Sequence, residues 1–194
     1  MAKKSVDLIV ATDPGWVAQI LDHFDEFLQD HANCERKASA LAMSMVVKYP
    51  DRTKIVPRLI ELAREELEHF EQVYRIMESR GLPLLKDAPD PYVNQLLQHC
   101  RHGRDERFLD RLLISSLVEC RGAERFKLIF GALEDPELKG FYRDLAGSEA
   151  KHGHQFAEMA LEYFDPDTVY GRLGELADAE SDIVVSLEWR ASLH

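Results

Sequence analysis

Apolar residues recur along this chain at three-then-four spacing, the period of one face of an α-helix, and nowhere settle into the two-residue alternation of a strand. The spacing predicts five helical segments. The first runs from about Pro14 to Lys48, with Asp13 as its N-cap and Pro14 at the first helical position. The second spans about Lys54 to Arg80 and stops at Gly81, with Pro83 beyond it. Leu82 to Tyr92 carries Pro83, Pro89 and Pro91 and reads as an extended crossover. The third segment covers about Tyr92 to Leu133, open to a break at Gly103. The fourth covers about Pro136 to Phe164, between Asp135-Pro136 and Asp165-Pro166, and a last helix fills Asp167 to Leu193. The expected class is all-α.

The seams of the first four segments are each interrupted by ionisable residues. Val17, Leu21, Phe24, Leu28, His31, Glu35, Ala38, Ala42 and Met45 form the first seam. Leu59, Leu62, Glu66, His69, Val73 and Ile76 form the second. The third is Leu109, Leu112, Ser116, Glu119, Ala123, Phe126 and Phe130, and the fourth is Leu138, Tyr142, Leu145, Glu149, His152, Phe156 and Met159. A carboxylate in the middle of an apolar seam is costly to bury unless it is paired or bound to a metal.

Two Glu-x-x-His motifs stand among these residues, Glu66 to His69 and Glu149 to His152. A spacing of three places both side chains on one helical face, so one helix can offer an oxygen and a nitrogen to one metal. Alone, each motif is a weak signal; the register strengthens it. Glu35 precedes Glu66 by 31 residues, and Glu119 precedes Glu149 by 30. The chain therefore reads as a duplicated helical hairpin joined by the proline-rich crossover. Glu35, Glu66, His69, Glu119, Glu149 and His152 make four carboxylates and two imidazoles. That is the ligand set of ferritin-like di-iron or di-manganese bundles, with Glu66 and Glu149 bridging, Glu35 and Glu119 terminal, and one histidine per metal. Oxygen and imidazole donors without thiolate suit Fe or Mn better than a closed structural zinc site. The competing reading is a bundle whose inward Glu and His form buried ion pairs, a weak source of stability.

Several neighbours stay open at this level. His31, one turn before Glu35, is a contact behind the ligands, a substrate contact or a hydrogen-bonded core histidine. Glu65 and Ser148, just before the motif glutamates, either orient the imidazoles or face solvent. Cys34 and Cys120 adjoin Glu35 and Glu119 but turn about 100° off the seam, which makes them packing residues. His154 points away from His152.

Composition narrows the function. The chain has 194 residues, long enough for one domain with a full core, read here as a ferritin-like domain over 1–194 with its bundle at about 13–164 and an extension at 165–194. Lys plus Arg is 24 against 35 Asp plus Glu, a net charge of −11, which excludes a bulk nucleic-acid coat but not a local basic patch. No apolar run is long enough to span a membrane, and the opening MAKKSVDLIVATDPGW is too short for a secretory signal. With three cysteines and no CxxC, reduced thiols in a cytoplasm are the expectation.

The crossover implies that the first interhelix turn and the start of the third helix share one end of the bundle. The turn carries Lys48, Arg52, Lys54 and Arg58; the helix start carries Arg101, Arg104, Arg107 and Arg111 with His99 and His102. A phosphate-rich partner fits that end. The alternative is a solvated surface balanced by Asp51, Asp105, Glu106 and Asp110.

The stretches LDHFDEFLQDHANCERKAS, ELAREELEHFEQV, LLISSLVECRGAERF and SEAKHGHQFAEMA resemble one ferritin-like family in particular, the tRNA 2-methylthio-N6-isopentenyladenosine hydroxylase family (MiaE). The resemblance covers about Asp13 to Phe164. It implies a non-haem di-iron monooxygenase that uses O2 to hydroxylate the isopentenyl group of a hypermodified adenosine in tRNA. All six ligand positions are present. No reductase-binding motif is evident, so a separate electron donor is implied. The other readings are a ferroxidase or iron-storage protein with the same ligands, and another di-metal oxidoreductase acting on a small molecule.

Overall fold

A computed structural model of the chain describes residues 6–194. Residues 1–5, which open the segment read as too short for a secretory signal, lie outside the described residues. In chain order the helices are α1 (Gly15–Asp22), α2 (Phe24–Lys48), a 3-10 turn at Thr53–Ile55, α3 (Val56–Ser79), α4 (Pro91–Gln98), α5 (Arg104–Ala132), α6 (Pro136–Leu161) and α7 (Pro166–Ser186). The described residues contain no strand, as the periodicity predicts.

Aspartate-proline pairs begin four of these helices. Proline supplies a helical φ where no N–H is needed, and the aspartate accepts orphaned N–H groups, an arrangement worth about 1 kcal/mol per cap. Asp13 accepts from Gly15 N at 2.7 Å, Asp90 from Tyr92 N at 2.9 Å, Asp135 from Glu137 N at 2.8 Å and Asp165 from Thr168 N at 2.9 Å. At the other end of α3, Gly81 takes φ 70°, a conformation that costs glycine little, and Leu82 N closes back on Met77 O at 2.9 Å.

The chain forms two compact units. One comprises Ala18–Ala88 with Trp189–Leu193. Its frame is the α2–α3 hairpin. Ser39 Oγ donates to Ala63 O at 2.7 Å, and Arg80 at the end of α3 pairs with Asp25 at the start of α2 at 2.6 Å, so the helices run antiparallel. The C-terminal segment is tied to the same unit, Leu193 N donating to Asp30 at 2.8 Å and Gln19 donating to Trp189 O at 3.1 Å.

The other unit comprises the chain up to Val17, Pro89–Glu188 and His194. Here α5 and α6 form the long hairpin, and α4 and α7 pack on it. The hairpin closes tightly at one level: Ser116 Oγ donates to Gly153 O at 2.6 Å. A Cβ on Gly153 would stand 2.5 Å from Cys120 Sγ and 3.1 Å from Ser116 O, so only glycine fits this approach.

Two boundaries differ from the sequence reading. The first predicted helix is two, broken at His23, whose φ −126° and ψ 41° leave the helical region. The sequence offers two apolar stripes one residue apart, and the break lets Trp16 and Ile20 be buried in place of Val17 and Leu21; Leu21 is 37% exposed. Burying an indole removes more apolar area from water than burying a valine, which favours that phase. The break that the sequence left open at Gly103 is present: α4 ends at Gln98 and α5 begins at Arg104. The last ends at Ser186, short of Leu193, because Leu187 turns extended with ψ 137°.

Candidate metal centre

Each hairpin carries one triad of two carboxylates and one imidazole. In the first unit, α2 supplies Glu35 and α3 supplies Glu66 and His69, and their ligand atoms lie within 4.8 Å of one another. Glu35 and Glu66 are buried, whereas the His69 side chain is 12% exposed. His69 Nδ1 stands 3.3 Å from Glu66 Oε2 and 3.7 Å from Glu35 Oε2. On the far side of Glu35, His31 Nε2 approaches Oε1 at 2.6 Å. Burial by itself lowers the pKa of His69; hydrogen bonding and charge from Glu35 and Glu66 outweigh it and push the imidazole up to about 10. Burial by itself raises Glu35, and His31 and His69 reverse this, holding its carboxyl well below the usual carboxylate range.

In the second unit, α5 supplies Glu119 and α6 supplies Glu149 and His152, again with ligand atoms within 4.8 Å of one another and all three residues buried. The Ser116–Gly153 contact fixes the two helices at this level, one turn from Glu119 and next to His152. Cys120 lies beside Glu119, and burial together with that carboxylate pushes its thiol up to about 12. Its sulfur packs against Gly153, the packing role expected from the sequence. All three cysteines are free thiols.

Hard oxygen and imidazole nitrogen at this spacing, without thiolate, fit Fe(II) or Mn(II) on the chemistry of the donors. All six sequence-predicted ligands thus fall into two triads, one per hairpin. Glu65 and Ser148 are both half-buried. His154 is exposed and turns back on its own helix, its Nδ1 standing 2.8 Å from Ala150 O.

The basic residues are placed unequally. Lys48 and Lys54 are exposed along the α2–α3 turn, and Arg52 is half-buried there, 3.9 Å from Asp51. At the start of α5, Arg104 and Arg107 are exposed. Arg101 instead clasps Asp110, Nε to Oδ2 at 3.0 Å and Nη2 to Oδ1 at 2.8 Å, where Arg172 also binds at 2.9 Å. Asp110, read from the sequence as a solvated counter-charge, is fully buried.

Sequence reasoning also missed a buried ionic knot in the second unit. Arg121 donates from Nε to Glu180 Oε1 at 2.8 Å and from Nη2 to Oε2 at 3.0 Å; it further bonds Glu124 at 2.9 Å, Thr12 Oγ1 at 3.2 Å and Val10 O at 2.8 Å. Tyr92 Oη donates to Glu180 at 2.9 Å, and Arg125 lies over the Trp16 ring at 4.9 Å. The available signal was α5 itself, whose run of Leu112, Leu113, Ile114 and Leu117 is apolar on more than one face, so that its polar residues have to find partners inside.

Comparison with known proteins places the chain. Residues 2–194 match the family described as tRNA-(MS[2]IO[6]A)-hydroxylase (MiaE). The chain is 32% identical over 183 residues to the tRNA 2-(methylsulfanyl)-N(6)-isopentenyladenosine(37) hydroxylase of Pseudomonas putida, over 94% of this chain and 89% of that one. Its identity to the protein of the same name from Salmonella typhimurium is 24% over 232 residues, 94% and 85% of the two chains. Among solved structures, a Synechococcus protein named for aldehyde deformylating oxygenase activity is similar at a TM-score of 0.91 and 35% identity, over 96% of this chain and 94% of that one. The fold class is therefore the ferritin-like helical one expected from the duplicated hairpin. On a match that runs almost from end to end, the chain belongs to the MiaE family.

Proposed function

We propose that this protein is an O2-dependent di-iron monooxygenase that hydroxylates the isopentenyl group of 2-methylthio-N6-isopentenyladenosine in tRNA. The observation that carries the reading is the pair of matching carboxylate–imidazole triads in a chain of the MiaE family. In this reading the chain is one ferritin-like domain, and each triad would hold one iron. Glu66 and Glu149 would be the bridging carboxylates, Glu35 and Glu119 would be terminal, and His69 and His152 would each serve one ion; manganese is the other ion the donors suit. When bound, the metal pair supplies the electrons and the site at which O2 is activated. Overall, one oxygen atom enters a C–H bond of the isopentenyl group and the other leaves as water, with two electrons and two protons supplied by a separate reductase or ferredoxin-like donor.

The chain's own residues do the rest. Burial of the triads excludes bulk water from a reactive oxidant, and the four carboxylates offset the positive charge of the ions. His31 braces Glu35 from behind, and Glu65 and Ser148 stand next to the motif glutamates to orient the imidazoles. Lys48, Arg52, Lys54, Arg101, Arg104 and Arg107 contact tRNA phosphates, in a protein whose substrate places it in the cytoplasm. Among the described residues no helix is long and apolar enough to cross a membrane.

The test is direct. Iron-loaded, reduced protein is given O2 and tRNA carrying the methylthio-isopentenyl nucleoside, and the digested nucleosides are weighed by mass spectrometry. One added oxygen on that nucleoside, lost in His69→Ala, is the expected result; no added oxygen with two irons bound per chain refutes the tRNA assignment. The Synechococcus likeness favours a second reading, in which the substrate is an aldehyde. The same enzyme preparation with an aldehyde in place of tRNA separates the two by which substrate is consumed.

A further inference from the structure

The two oxygens of Glu35 have different neighbours. Oε1 meets His31 Nε2 at 2.6 Å, and Oε2 faces His69 Nδ1 at 3.7 Å. His31 is fully buried, one helical turn before Glu35 on α2, and its ring stacks on Phe27 at 5.6 Å and 24°. An ionised carboxylate can only accept, so at 2.6 Å the His31 nitrogen carries the proton and donates it. The bond therefore occupies Oε1 and leaves Oε2 as the oxygen turned toward His69, the metal-ligating imidazole of the same triad.

The corresponding place in the other hairpin is built differently. Four residues before Glu119 stands Ser115, and its hydroxyl donates to Arg111 O at 2.9 Å, within its own helix. The duplicated hairpins thus differ one turn before each terminal glutamate, an imidazole bonded to the ligand in one and a serine bonded to backbone in the other.

We propose that His31 is a positioning residue for the metal centre, one that holds Glu35 as a single-oxygen ligand through Oε2 and makes the metal position of the first hairpin depend on an imidazole at a place where the other hairpin has Ser115. The inference rests on the di-metal reading. Its mechanism is geometric. A carboxylate pinned at one oxygen cannot rotate to chelate with both, and the ordered oxygen pays less entropy on binding than a swinging one.

The test separates the hydrogen bond from packing. The metal-free chain is titrated with Co(II), followed by its visible absorption and by calorimetry, for the unaltered protein and for His31→Gln, His31→Phe and His31→Leu. Glutamine keeps an N–H donor; phenylalanine keeps the ring on Phe27 and drops the donor; leucine drops the donor with less bulk, should phenylalanine be too large to fold. The expected result is two ions on the unaltered chain, near-parent binding in His31→Gln, and one of the two ions weakened about 10- to 100-fold in His31→Phe or His31→Leu, with circular dichroism and thermal midpoint showing a folded protein. Adding His31→Phe to Glu35→Ala is expected to weaken metal binding no further. Parent-like binding of both ions by the apolar variants, equal loss in His31→Gln, or an additive effect on top of Glu35→Ala overturns the proposal. An unaltered chain that binds fewer than two ions overturns the di-metal reading itself, and is seen before any variant is made.

Discussion

Replacing Arg121 with methionine isolates the largest buried electrostatic element outside the metal triads. Methionine fills most of the aliphatic stem and removes the guanidinium, which leaves Glu180 fully buried with the Tyr92 hydroxyl donating to it, and leaves the Val10 carbonyl without its Arg121 bond. Breaking a buried pair by removing one partner costs about 3–5 kcal/mol. An independent bound agrees. The stranded carboxylate can escape by taking a proton, and for a carboxyl of ordinary acidity that step costs about 3.7 kcal/mol at pH 7 and about 1 kcal/mol at pH 5. The variant is therefore expected to lose about 4 kcal/mol at pH 7 and markedly less at pH 5, because its folded state binds a proton more readily than its unfolded state. Urea unfolding of the metal-free protein at the two pH values measures both figures. The double variant Arg121→Met, Glu180→Leu removes both charges and is expected to recover much of the loss at pH 7. A single variant within about 1 kcal/mol of the parent at pH 7, or a double variant as unstable as the single, would refute the assignment of the cost to an uncompensated buried charge.

Gly153→Ala forces α5 and α6 apart at the contact with Cys120 and Ser116 and is expected to cost about 1–3 kcal/mol, seen as a fall of several degrees in the thermal midpoint. Cys120→Ala on the same background is expected to return only part of it, since the Ser116 carbonyl still crowds the site. Burial raises the Asp110 pKa, but hydrogen bonds from Arg101 and Arg172 outweigh it and leave the carboxyl below its ordinary value. Its contribution is thus present above the unfolded pKa and lost as pH falls through the folded one, so Asp110→Asn is expected to flatten the acid limb of stability below about pH 4. Glu66→Ala and Glu149→Ala are each expected to abolish two-metal binding; two irons per chain by elemental analysis in either variant would remove its bridging role. Arg104→Glu with Arg107→Glu is expected to weaken tRNA binding and reduce the slope of log affinity against log salt by about 2 while metal content stays at the parent value. These two arginines are the cleaner choice, because Arg101 also clasps Asp110.

The two carboxylate–imidazole triads were legible because their chemistry is repetitive. A carboxylate in an apolar seam is an anomaly, and the same anomaly at near-equal spacing in two hairpins leaves few alternatives. The helix starts were legible for a different reason: an aspartate before a proline encodes both a cap and a fixed φ, and all four such pairs open helices. Two things escaped. The break at His23 turns on a choice between neighbouring apolar stripes, and only the three-dimensional surroundings of Trp16 decide which one is buried. The Arg121–Glu180 and Asp110–Arg172 pairs join residues 59 and 62 positions apart, and no local period announces such a pairing. His31 lay in between. Its place on the seam left its role open, and which group it holds depends on rotamers that the sequence does not specify.

The strap at Val10 and Thr12 also sets an order of events during synthesis. Thr12 is bonded to Glu124 across 112 residues of chain and to Arg121 across 109. At about 5–20 residues per second, a ribosome needs roughly 5 to 20 s to deliver those partners after the strap itself has emerged. The α2–α3 hairpin closes over far shorter separations and is complete in the meantime. The strap, made before α2, is thus among the last segments to find its place, and a nascent chain stalled within α5 would leave Val10 and Thr12 open to protease while the α2–α3 hairpin is already protected.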